Sequence, residues 1–98
     1  MGLFDREPKS LRKLRQELEM ARMSCGMHDK MPAANRAFAE QAIPTGLRQT
    51  AAAATADGQR VAAQRIIEEA RAVRPKQTGG LGWDELMDAA VDGLGVGS

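Results

Sequence analysis

Residues 83–91 read WDELMDAAV, and the surface on which this segment buries its tryptophan governs the architecture. Trp83, Leu86, Met87, Ala90 and Val91 recur at i, i+3, i+4, i+7 and i+8, which makes one apolar helical face two turns long. Asp84 and Glu85 fall in the first turn, where carboxylates complement the positive end of the helix dipole, and Asp88 and Asp92 lie on the polar side. A segment this short does not hold a helix alone in water. Two surfaces are open to it. One is the chain's own helices; the other is a groove on a partner protein, with Trp83, Leu86, Met87, Ala90 and Val91 as the binding face. Residues 76–82 are glycine-rich and read as a linker, so the expectation is a tethered C-terminal helix at 83–92 followed by a flexible tail at 93–98.

The rest of the chain explains why that face matters. Its 98 residues amount to one domain at most. Apolar residues make up 43%, but alanine supplies 17 of them, as many as Leu, Ile, Val and Phe combined. Alanine buries little surface, and small domains are short of buried surface already. A thin core follows, completed by self-association or by a partner. The charge is also divided. All 14 Lys and Arg lie at or before Lys76 with nine of the 13 acids, giving +5, while residues 77–98 carry four acids and no base, giving −4; together they make the net +1. The acidic end either neutralises its own domain or reads a basic surface elsewhere.

No segment alternates apolar and polar residues as a strand would, and tyrosine is absent. The expected fold is therefore all-α, a small three- to four-helix bundle or an extended helical hairpin, with an N-terminal arm at 1–9 and a helical domain at 10–75. A first helix over 10–25 has Ser10 or Pro8 at its start. Its packing seam is Leu11, Leu14, Leu18, Ala21 and Cys25, and Gly26 is its natural stop. A second helix over 32–43 carries the stripe Ala34, Phe38 and Ala42 and is ended by Pro44. A third runs over 46–73, about 40 Å if unbroken, although Asp57-Gly58 is a point of interruption. In it Gly46, Thr50, Ala54, Gly58 and Ala62 are small and four apart, a ridge that lets another helix approach closely. Beyond Gly58, the residues Val61, Ala63, Ile66, Ile67, Ala70 and Val73 form a bulkier face.

Three constellations hold residue types that can carry chemistry. Met20, Met23, Cys25, Met27, His28 and Met31 are the ligand types a soft ion such as Cu(I) prefers. Methionine also fills irregular gaps between packed helices, and that reading is favoured, so no metal and no cofactor are expected. A Cys25–His28 dyad lacks any residues to build an oxyanion hole or a substrate pocket around it, and no enzyme is expected. The stretch AFAEQAIPTGLRQTAAAA at 37–54 reads as helix, turn, helix, with Arg48 and Gln49 placed as base-reading residues and Lys9, Arg12, Lys13, Arg15 and Arg22 as phosphate contacts. A helix-turn-helix-like DNA-binding regulator is thus the alternative function, opposed by the alanine-rich second helix and the absence of a strong basic excess.

The terminal residues DGLGVGS, at 92–98, resemble the Gly-, Leu- and Ser-containing tails that load cargo proteins into encapsulin shells. The resemblance covers those seven residues and departs at the hydrophobic residue that usually follows the Gly-Ser pair. Neither a secretory signal nor a run long enough to cross a membrane is present, so an intracellular, cytoplasmic protein with no membrane partner is the default. The function expected from all of this is a non-enzymatic, protein-binding helical module, an adaptor, regulator or assembly subunit, that docks on a larger protein or on copies of itself.

Overall fold

Four helices and one short 3-10 turn form the regular structure of the described residues, 7–75 and 82–95, in a computed structural model; no strand occurs among them. Helix α1 spans Lys9–Met27 and a 3-10 turn follows at His28–Lys30. Helix α2 spans Ala33–Ala56, α3 Arg60–Ala72 and α4 Trp83–Gly95. The arrangement is a bundle and not an extended hairpin. Its overall extents, 38 × 35 × 21 Å, make it a slab two helices thick at the usual interaxial spacing of about 8–10 Å.

Each boundary has a local cause. Pro8 caps α1, its carbonyl accepting the amides of Leu11 and Arg12 at 3.1 Å. Ser10 lies inside the first turn, and its hydroxyl instead donates to Asp57 Oδ2 at 2.9 Å, tying α1 to the end of α2. Gly26 does not stop α1, which continues to Met27 before the chain tightens into the 3-10 turn. Pro32 caps α2, its fixed φ suiting a helix start.

Pro44 does not end the second helix. Helix α2 runs through it without interruption to Ala56, and the expected break between 43 and 46 is absent. Interior proline removes one helical hydrogen bond and costs about 3 kcal/mol. Packing outweighs that local cost. Ala39, Leu47, Ala51 and Ala54 are buried, with Ile43 partly buried against the same core, and they share one face only if the helix is continuous. The break falls instead at Asp57-Gly58, where Gly58 adopts φ 77, a left-handed conformation that glycine reaches without steric cost. What sequence spacing suggests as one long third helix is thus the second half of α2, a turn, and α3.

The core joins all four helices. Leu11, Leu14, Leu18, Ala21 and Cys25 of α1 are buried together, as their spacing indicates. They meet Leu47, Ala51 and Ala54 of α2, Ala63, Ile66 and Ile67 of α3, and Trp83, Leu86, Met87, Ala90 and Leu94 of α4. Val61 of α3 and Val73, just past its end, lie outside this face and are exposed. The most extensive helix pairing is that of α2 with α4.

Candidate functional site

The C-terminal helix is core, and this changes where a binding surface can be. Trp83, Leu86, Met87 and Ala90 are almost wholly buried, and only Val91 of the expected binding face is exposed. The indole Nε1–H of Trp83 donates to the carbonyl oxygen of Ala70 at 3.0 Å, and the Arg22 guanidinium lies 5.1 Å from the ring centroid in cation–π range. The assignment of Trp83, Leu86, Met87 and Ala90 to a partner is therefore corrected: they fill the core that alanine leaves thin. Helix α4 also extends past the expected end at 92. Gly93 and Leu94 are buried, so the start of the supposed tail, and of the stretch that resembles a shell-loading peptide, is packed structure; residues 96–98 lie outside the described residues.

Three of the four acids of α4 meet bases of the same chain. Arg74 donates to both Asp84 oxygens at 2.8 and 2.9 Å, Arg71 to Asp88 at 2.9 Å and Arg48 to Asp92 at 3.2 Å, while Arg60 donates to the Leu94 carbonyl at 3.2 Å. Asp84, Asp88 and Asp92 lie one turn apart, so they form a ladder along one edge of α4. These pairs are exposed, and exposed pairs contribute about 0–1 kcal/mol each. A buried leucine or tryptophan contributes more, so apolar burial holds α4 down and the ladder sets its orientation.

The small-residue ridge is only partly realised. A Cβ on Gly46 would come 2.8 Å from Glu17 Oε2 of α1, Thr50 is half-buried with its hydroxyl donating to the carbonyls of Gly46 and Leu47, and Ala54 is buried. Gly58 lies in the turn and Ala62 belongs to α3, so the ridge does not continue as a line. The close helix–helix approach lies on the neighbouring face. A Cβ on Gly93 would run into the Arg48 carbonyl oxygen and come 3.0 Å from the Ala51 Cβ, so glycine there lets α4 lie directly on the α2 backbone.

The soft-ligand residues are not gathered. Cys25 and His28 are buried, whereas Met20, Met23 and Met27 are all more than half exposed on the opposite side of α1. Among the described residues no group of three His, Cys, Asp or Glu is placed to hold a metal ion. His28 Nε2 lies 2.9 Å from Glu40 Oε2. Burial pushes the Cys25 thiol above its ordinary value of 9.0, with Arg22 opposing, so the sulfur is held protonated and away from solvent. Such a thiol is a poor nucleophile.

The helix-turn-helix geometry is also missing, since its turn is interior to α2 and Arg48 is engaged by Asp92. No helix among the described residues is long and apolar enough to cross a membrane.

Among the exposed apolar side chains, Phe38 and Met20 flank a groove between α1 and the first half of α2. Phe38 does not join a buried stripe; it is 74% exposed, and Ala34 beside it is exposed as well. A groove of about 550 Å³ runs past it, lined by the apolar Met20, Ala21, Met31, Ala39, Ala42 and Ile43 together with the polar Glu17, Ser24 and Asn35. A cleft of about 620 Å³ between α2 and α4 is different in kind: Arg48, Asp88 and Asp92 line it, and their charges are engaged within the chain. Sequence reasoning missed the Phe38 surface because it ended the second helix at Pro44. The available signal was the absence of charge on one face of residues 34–56 taken as a single helix. Comparison with protein-family models, with curated proteins and with solved structures finds no match.

Proposed function

We propose that this chain is a non-enzymatic, protein-binding helical module whose docking surface is the groove between α1 and α2 around Phe38. The observation that carries the reading is the exposure of Phe38 at 74% and of Met20 at 60%, both lining one groove whose walls are mostly apolar. A large aromatic held in water has no stabilising role in the monomer, and unbranched methionines beside it adapt to the shape of an incoming side chain. Aromatic and methionine side chains are also the types enriched where proteins meet. The buried, protonated thiol and the internally engaged charges of α4 argue against catalysis as the chain's work.

The test compares the full chain with Phe38→Ser and Met20→Ser variants. Binding, whether to another protein or to a second copy, is expected to fall at least tenfold in each variant while helicity and melting temperature stay at their original values. Equal binding by the original chain and both variants places the docking surface elsewhere and refutes the reading.

A further inference from the structure

The solvent side of α2 differs from that of the other helices. Ala34, Phe38, Gln41, Thr45, Gln49 and Ala52 follow one another at spacings of three and four, so they make one straight face, and every one of them is exposed. None is charged. By contrast α1 exposes Arg12, Lys13, Arg15 and Glu19, and α3 exposes Arg65, Glu68 and Glu69. Of the exposed charges on α2, Glu40 lies off this face and contacts His28, while Arg48, three residues after Thr45 and four before Ala52, borders it and is held by Asp92. A helix surface that faces water normally carries charge. An uncharged run of alanine, glutamine and threonine around one phenylalanine has the composition of a helix–helix contact.

The relief of the face selects its occupant. Phe38 is exposed and forms one wall of a shallow hollow of about 350 Å³ on the same face, whose other walls are Gln41, Ala42, Thr45, Gly46 and Gln49. An exposed ring and a hollow on one surface are what a two-fold interface requires, because each copy then offers both halves of the contact. We infer that this face pairs with the same face of a second copy, α2 antiparallel to α2, each Phe38 seated in the other's Thr45–Gly46 hollow. The two-fold axis then passes between Gln41 and Ala42, and Ala34 stands opposite Gln49. Electrostatics agree. The one charge that borders the face, Arg48, is already engaged by Asp92, and a net charge of only +1 gives two copies little to repel. The inference rests on the docking surface proposed above through Phe38, Ala42 and Gly46, which line both that groove and this hollow. One helix face is smaller than a standard interface, so the dimer is expected to be weak and dependent on concentration.

Sedimentation of the full chain over a wide concentration range tests this, together with two variants that each add one cysteine in a Cys25→Ala background. The mass is expected to rise from that of one chain, 10.6 kDa, toward twice that value, and Phe38→Ser is expected to remain at one chain at every concentration. Gln41→Cys lies at the axis and is expected to form a disulfide-linked dimer under mild oxidation. Gln49→Cys stands about 22 Å from its counterpart along the helices and is expected to stay unlinked. Val61→Ser, an exposed change on α3, is expected to leave the dimer intact. A dimer that survives Phe38→Ser, or that links through Gln49→Cys in preference to Gln41→Cys, overturns the pairing. So does a chain that stays monomeric throughout. If that monomer still binds another protein in a Phe38-dependent way, the docking surface stands and only the second copy is excluded.

Discussion

Gly93 and Gly26 are both helical glycines, and their surroundings give them opposite roles. A methyl on Gly93 has nowhere to go, because the Arg48 carbonyl and the Ala51 side chain occupy its position. Nothing lies within 4 Å of a methyl on Gly26. Gly93→Ala is therefore expected to lower stability by about 1–3 kcal/mol through overpacking, whereas Gly26→Ala raises it by about 0.5–1 kcal/mol through backbone entropy. Denaturant midpoints of the two variants check the difference in sign. Cys25 gives a second prediction at this scale. Its thiol pKa is higher in the folded chain than in the unfolded one, mainly because burial disfavours the thiolate. Below the ordinary value of 9.0 both states hold the proton, and the buried thiol contributes its full stability. Above it the unfolded chain releases the proton first, so stability is lost as pH rises until the folded-state value is passed. Urea unfolding of the original chain is expected to weaken above pH 9.0 more than that of Cys25→Ala. Parallel profiles contradict the assignment.

Among the elements, α2 decides the fold, and it is the one that sequence spacing divides wrongly. Proline inside a helix is so costly that Pro44 reads as a stop. The face formed by Ala39, Ile43, Leu47, Ala51 and Ala54 is made mostly of alanine, and alanine gives a weak signal of burial. Tertiary contact to α1 and α4, which no local pattern displays, keeps the helix whole. The α1 seam was legible for the opposite reason: three leucines at helical spacing admit one reading. The C-terminal helix was legible as a helix but not in its destination, since an amphipathic stripe is the same whether it docks in cis or in trans. Leu94 continued that stripe one turn beyond Ala90, and the glycines around it concealed this. Pro44→Ala is expected to stabilise the chain by up to about 3 kcal/mol, because it restores a bond and removes a clash in a helix that is already continuous. A drop in melting temperature would mean that the proline ring contributes packing that outweighs its backbone cost.

For the whole molecule, the divided charge and the thin core have one resolution. The basic helices receive the acidic one, and the tryptophan of α4 supplies the bulk that the other helices lack. The C-terminal helix is thereby used within its own domain, and the binding surface we propose is instead the one around Phe38. Because the chain has a single tryptophan, its fluorescence reports on this account directly. With Trp83 only 2% exposed, emission is expected to be blue-shifted and only weakly quenched by acrylamide, and both properties should be lost in the same transition as helicity. Water-like emission and free quenching, in a chain whose helicity is intact, would contradict the packing of α4 on its own domain.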